Sequence, residues 1–263
     1  MSKKYELVVD DTITFWGWKL FRIKALISFG SVDAGDLGGY IYTEDNLSQK
    51  GDAWVSGDAK VWGNAKVSGN AKVSGNAKVW GDAEVSGDAK VWGDAWVSGD
   101  AKVWGDAWVS GNAEVWGDAK VWGNAKVSGD AKVWGNAKVS GNAKVWGNAK
   151  VWGDAKVWGN AKVSGNAEVS GDAKVWGNAK VSGNAEVSGD AKVSDFEDVI
   201  VFKNHWSSGR HFTYTKSNKM WRVGCFYGTG QELIDKAYRD SEKSGNYYKA
   251  YVEFIASLEG LGE

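Results

Sequence analysis

The chain has 263 residues but no proline, one cysteine, two histidines and two methionines. Each scarcity excludes something. A lone Cys225 cannot close a disulfide within the chain, so no disulfide framework holds the fold and a reducing compartment is expected. Two histidines and one cysteine give no zinc-type ligand spacing, so neither metal nor cofactor is expected. No apolar run approaches the ~20 residues of a membrane span, and the N-terminal residues lack the basic-then-apolar pattern of a signal peptide. A cytoplasmic protein with no membrane partner is the expectation. The formal net charge of −1 supplies no bulk attraction to nucleic acid. The missing proline fits a chain built mainly of hydrogen-bonded strands, where a residue without an N–H has few places.

What the chain has instead is repetition. The stretch "GDAKVWGNAKVSGNAKVSGNAKVW", residues 57 to 80, is one six-residue phrase said four times, and it continues with small edits from Gly51 to Ser194. A fixed period outranks length as a guide to architecture. The chain divides into an N-terminal piece (1–50), an array (51–194) and a C-terminal piece (195–263).

In the unit Ala59-Lys60-Val61-Trp62-Gly63-Asn64, Ala and Val alternate with Lys and Trp, the period-2 pattern of a strand with one buried face. Gly followed by Asn or Asp supplies a corner, because these residues tolerate positive φ and local hydrogen bonds. Folding back as a hairpin at every unit would leave each Ala/Val face open, so the chain must coil. Three sides make an 18-residue triangular turn, and the 24 units make eight turns. At a strand spacing of about 4.8 Å the rod is on the order of 40 Å long. An α-helix is excluded, since a period of six drifts around 3.6 and each glycine would cost about 1 kcal/mol. The expected fold is an all-β solenoid, a triangular parallel β-helix, with an N-terminal β cap and a small C-terminal α+β domain.

The repeated "AKV" and "AEV" resemble the left-handed parallel β-helix of hexapeptide-repeat proteins, which implies a left-handed coil, against the usual right-handed crossover. Bactofilin-type polymer-forming proteins have a similar cross-section of opposite hand. The segment "LFRIKALISFGSVDAGDLGGYI" followed by "EDNLSQKGDAWV", residues 20 to 55, resembles the N-terminal module of YdcK-type hexapeptide proteins and related prophage-encoded proteins. The resemblance is specific for architecture and says little about activity.

At the ends, "TITFWGWKLFRI" reads as a hairpin turning at Gly17 that seals the first coil. After Asp195, "HFTYTKSNKMWRVGCF" reads as a hairpin about Ser217-Asn218. Thr229 and Glu232 have the spacing of a capping box. Two apolar stripes follow, Leu233, Ile234, Ala237 and Tyr238, then Tyr247, Tyr248, Tyr251, Val252, Ile255 and Leu258.

Residues 18 apart stack, so outward positions form columns. One ladder contains Trp62, Trp80, Trp116, Trp134 and Trp152, interrupted by Ser98; a second contains Trp104, Trp122, Trp158 and Trp176, interrupted by Ser140; the third face is mostly serine, with Trp92 and Trp146. Beside the second ladder runs the most basic column, from Lys66 to Lys192, and its adjoining corner, from Asn64 to Asp190, is the most acidic. Stacked indoles stiffen a thin rod through vertical contacts. Flat aromatic stripes also mark contact surfaces. The nine indoles named in the first two ladders are candidate binding residues, with self or another protein as the expected partner. The acidic corner argues against nucleic acid, although bases stacking on Trp beside Lys would have the right chemistry.

Hexapeptide proteins of this kind resemble acyltransferases in which a histidine on an escaping loop acts as general base. Residues 51–194 contain no histidine and no interruption, so that role has no matching position. Nor do they contain threonine, which disfavours an ice-binding ladder. His205, His211 and Cys225 form no recognisable catalytic motif. "SSGR" with Arg210, and "YGTGQE" opening a helix, could hold a small or anionic ligand through backbone N–H groups. The expected function is a non-catalytic rigid scaffold or binding protein; an acyltransferase-like enzyme and a filament former are the alternatives.

Overall fold

A computed structural model describes residues 3–261. The array is a triangular parallel β-solenoid. Each hexad contributes one two-residue strand, 24 of them from β4 (Trp54–Val55) to β27 (Lys192–Val193). Every third strand pairs in parallel, which gives three faces: the first runs from β5 (Lys60–Val61) to β26 (Glu186–Val187), the second from β6 (Lys66–Val67) to β27, and the third from β4 to β25 (Lys180–Val181). The register places Val on Val, as in Val103–Val121–Val139.

The burial follows the period-2 reading. The inward Ala and Val of every hexad are at most 1% exposed and form one continuous column with no polar side chain. Backbone groups are satisfied between coils: Lys102 N–H donates to Ala119 C=O at 2.9 Å and Trp104 N–H to Val121 C=O at 3.0 Å. The corners need glycine for two reasons. Gly123 sits at φ +67, and a Cβ there would lie 3.2 Å from the nitrogen of Gly141 in the next coil. An L-residue would meet both the left-handed backbone penalty and that contact.

The solenoid sheet starts before the first hexad. β3 (Leu37–Ile41) pairs in parallel with β5, so Ile41 occupies a valine position, and Leu47 bridges to Val67. A 3-10 turn at Glu44–Asn46 makes the corner between them. Asn46 ties it down, accepting from the N–H groups of Tyr42 and Thr43 and donating to the carbonyls of Gly63 and Ala65. The other end repeats the device: at the 3-10 turn Phe196–Asp198, Asp198 accepts from the N–H groups of Ser194 and Asp195.

The N-terminal hairpin, β1 (Tyr5–Phe15) and β2 (Trp18–Ala25), turns at Trp16-Gly17 with both residues at positive φ. It does more than seal the end. Its base lays Tyr5, Ile23 and Ala25 over the first coil. A register shift between Val8 and Thr12 bends the rest, so the tip descends the outside of the first face. There Ile13, Phe15 and Leu20 pack against Tyr40, Trp62 and Trp80. Lys4 completes the seal: its Nζ donates to the carbonyls of Gly51 and Ala53, lies over the Phe29 ring, and is only 2% exposed. Burial lowers its pKa to about 8, with Asp52 acting in the opposite direction.

The C-terminal domain is an antiparallel four-stranded sheet, β28 (Val199–Lys203), β29 (His211–Thr215), β30 (Met220–Val223) and β31 (Phe226–Thr229), with helices α1 (Gly230–Asp240) and α2 (Glu242–Gly260). Its core joins Phe212, Tyr214 and Trp221 to Leu233, Ala237, Tyr248 and Ile255. Of the expected stripe residues, Tyr238 and Leu258 are instead exposed. Gly245 lets the helices approach closely, since a Cβ there would fall on the Tyr238 ring. Tyr214 donates to the carboxylate of Glu259, and burial followed by that contact pushes its phenol pKa up.

This domain covers the last coil. Thr213 and Ser217 accept from the N–H groups of Glu186 and Lys192, Arg222 pairs with Glu186 at 3.0 Å, and the Tyr227 hydroxyl reaches the Ser188 carbonyl over Gly189. Asn218 donates to Asp190, holding that carboxyl below its ordinary range.

Because the array is locally paired, one turn can be removed without changing any core contact type. Deletion of residues 117–134 joins Trp116 to Gly135 and keeps Ala on Ala and Val on Val. That variant is expected to melt cooperatively with Tm lowered by less than about 5 °C. Differential scanning calorimetry checks it; failure to fold would show that a particular coil is indispensable.

Candidate functional site

The residue after each inward Val points outward beside its corner, and the coil repeat fixes its spacing. In the first ladder, Trp116, Trp134 and Trp152 stack with ring centroids 5.0 Å apart at both steps and interplanar angles of 0° and 7°. In the second ladder, Trp104–Trp122 and Trp158–Trp176 stack at 5.1 and 5.3 Å. Vertical neighbours half-bury these rings. The third-face Trp146, which has no tryptophan above or below it, is 36% exposed.

The top of the first ladder belongs to the N-terminal junction. Trp62 is 3% exposed, enclosed by Phe15, Leu20 and Tyr40 and stacked on Trp80 at 5.1 Å. Trp16 at the hairpin tip meets Trp62, Trp80 and Trp96 edge to face. The free part of the first ladder is therefore Trp116 to Trp152.

Three tryptophans take the place of the outward lysine: Trp54, Trp96 and Trp108. Reading only the position after valine misses them, although the signal is plain in the hexads "AWV". Trp54 packs under Phe29 and Tyr5. Trp96 leans against Trp80. Trp108 meets Trp92 edge to face, with Lys90 and Lys126 over its ring.

The charged columns are partly paired. Lys102 bonds Glu84, Lys132 bonds Glu114 and Lys150 bonds Glu168, each across one coil. The pairs are surface pairs and contribute little each. Corner amides also form ladders, as in Asn136 donating to Asp154 and Asn142 to Asn160. On the second face the basic column and its acidic corner flank one long groove, from Asp100 and Lys102 down to Asp190 and Lys192. Phosphates entering there would meet a carboxylate beside each ammonium group except at Lys138, whose corner residue is Asn136.

In the C-terminal domain, Arg210 lines a hollow of about 170 Å³ with Ser208, His211 and Cys225. His211 is engaged by Asn184 of the last coils at 3.1 Å. His205 lies elsewhere, edge-on to Trp206 and Tyr247. The α1 N-terminus is occupied from within. Glu232 accepts from the Thr229 N–H and hydroxyl, while Thr229 Oγ1 accepts from the Glu232 N–H. That reciprocal cap fills the place an anion would take, and its hydrogen bonds hold the Glu232 carboxyl below the ordinary range.

No protein-family model matches the chain, and no curated protein is significantly similar to it. The solenoid with its 18-residue repeat is that of a hexapeptide-repeat β-helix. No helix among the described residues is long and apolar enough to cross a membrane.

Proposed function

We propose that the protein is a rigid, non-catalytic scaffold whose uncovered tryptophan ladders are a protein-contact surface, with a second copy of the rod as partner. One observation carries this reading. Below the N-terminal junction the indoles stand in parallel, half-exposed strips on a solenoid whose two ends are both covered. Interior packing would hide such rings, and vertical stacking, which stiffens the rod, still leaves their outer edges as apolar strips open to a partner. Covered ends leave the sides as the available contact surface.

The absence of any histidine from residues 51–194 favours this over an acyltransferase-like role. The left-handed coil, the YdcK-like, phage-related ancestry and a cytoplasmic site of action belong to the same reading and rest on the resemblance of residues 20 to 55 and of the repeated "AKV".

The test is light-scattering mass over a wide concentration range for the full chain and for a triple variant, Trp116→Ser, Trp134→Ser and Trp152→Ser. The parent is expected to associate and the variant to remain monomeric, with Tm lowered by roughly the loss of two stacking contacts of about 1 kcal/mol each. A parent that is monomeric throughout, with a variant of equal Tm, would overturn the reading.

A further inference from the structure

We propose that the missing rung at Ser140 is a binding slot for a small planar aromatic anion, such as a nucleobase carrying a phosphate. The site lies on the second ladder, and it does not depend on association of rods through the first.

The geometry starts from the unbroken run. Trp116, Trp134 and Trp152 show that this solenoid accepts one flat ring per coil, parallel to its neighbours and 5.0 Å from each by centroid. On the second ladder the rung between Trp122 and Trp158 carries Ser140. An open notch of about 510 Å³ lies there, with an indole at either end and Lys138, Lys156 and Lys174 along one side. Both end walls are fixed from behind, because Trp122 stacks on Trp104 at 2° and Trp158 on Trp176 at 10°. A flat ring entering the notch completes the ladder against two preorganised faces.

The first ladder has a comparable break at Ser98, between Trp80 and Trp116, and the chain fills it itself. Trp96, two residues earlier, leans into Trp80 at 5.4 Å and leaves a hollow of only about 190 Å³. At the second break the residue two positions before the serine is Lys138. One break is closed by an indole of the chain; the other is left open and given an ammonium group.

Charge then selects the occupant. Lys138, Lys156 and Lys174 have no carboxylate within salt-bridge distance among the described residues; the array lysines that do are Lys102, Lys132 and Lys150. The corner on the tryptophan side of the notch is neutral at this level, Asn124, Asn142 and Asn160, although the same column carries Asp88 and Asp106 higher up. The carboxylates of Asp154 and Asp172 lie on the far side of the lysines, in the neighbouring groove. The ring between indoles and the anionic group on the ammonium side is the arrangement that uses all of these features.

Isothermal titration of the full chain with adenosine 5′-monophosphate, and separately with naphthalene-1-sulfonate, tests the slot. Saturable binding of one equivalent is expected. Ser140→Trp adds a rung that the ladder accepts elsewhere, so it should fold normally and weaken both probes at least about tenfold; Ser128→Trp, on the third face, should leave them within about twofold. Lys138→Gln with Lys156→Gln should weaken the nucleotide about tenfold and flatten its salt dependence. Adenosine and ribose 5-phosphate, each keeping one half of the ligand, should each bind at least about tenfold more weakly than the nucleotide. Neither probe binding, or equal binding to the parent and to Ser140→Trp, overturns the proposal. So does a parent that binds no probe but associates in a manner abolished by Ser140→Trp, which would give the slot to an aromatic side chain of a second copy. Failure of the first-ladder variant to change mass would leave the titration result standing.

Discussion

Residues 51–194, freed of both terminal pieces, are expected to polymerise end to end into unbranched fibres. The 24 hexads are a whole number of 18-residue turns, eight in all, so the first coil of one copy meets the last coil of another in the register that continues the rod. Each new junction can form the ladder seen inside the molecule, such as Lys60 N–H to Ala77 C=O at 2.9 Å, on all three faces at once. It also buries the open Ala/Val column. Such a contact is heterologous and does not close, so growth has no natural stop.

Removing one piece only should behave differently. Loss of residues 1–50 bares the upper end, loss of 195–263 the lower end, and a like pair of ends runs in opposite directions when brought together, which forbids parallel pairing. Each single truncation should stop at small, irregular associations, and mixing the two should restore pairing between unlike ends. Sedimentation and electron microscopy would read the outcome. An array that stays monomeric at high concentration with its β-sheet signal intact would show that the ends need no cover.

The same two pieces show what the sequence made legible. The hexad alone dictates inward Ala and Val, glycine corners and an 18-residue turn, because each is local and repeated 24 times. The hairpin turning at Gly17 and the hairpin at Ser217-Asn218 also follow from local alternation. What the hairpin does was not readable: its descent over Trp62 depends on a bend between Val8 and Thr12 and on a tip, Trp16, that meets residues up to 80 positions away. β31 was hidden because "FYGT" is short and runs straight into the α1 cap, and β28 meets β29 across the loop 204–210, which is too long to carry a tight-turn signature. Among the candidate residues, the columns follow from arithmetic and the self-capped α1 N-terminus from the spacing of Thr229 and Glu232, but the enclosure of Trp62 depends on side-chain geometry. The notch at Ser140 lay between readable letters: a missing Trp in a column, with Lys138 where the other break has Trp96.

Val121→Asp is expected to break the rod in the middle. Val121 is fully buried, with Val103 in the coil before it and Val139 in the coil after it, in a column without any polar side chain. The backbone donors around it are already spent on the coil ladder, so the new carboxylate has neither water nor partner. The cost is about 3–5 kcal/mol when a buried charge is left uncompensated. Burial raises the pKa of such a carboxyl above its unfolded value, so the folded state binds the extra proton between the two. Stability of the variant should accordingly improve, relative to Val121→Asn, as pH falls from neutrality toward 4.

Coupling in a solenoid is to nearest neighbours, so the damage should stay near the lesion. Amide exchange should accelerate in the coils on either side of Val121 and remain slow under the N-terminal hairpin and in the last coils beneath the C-terminal sheet. Uniform acceleration along the chain would contradict this and imply one all-or-none unit. Deleting residues 117–134 removes the same valine yet leaves every remaining valine facing another, which is why it is expected to cost so much less. The contrast separates two sources of stability: the rod depends on the match between adjacent coils, and no single coil supplies it.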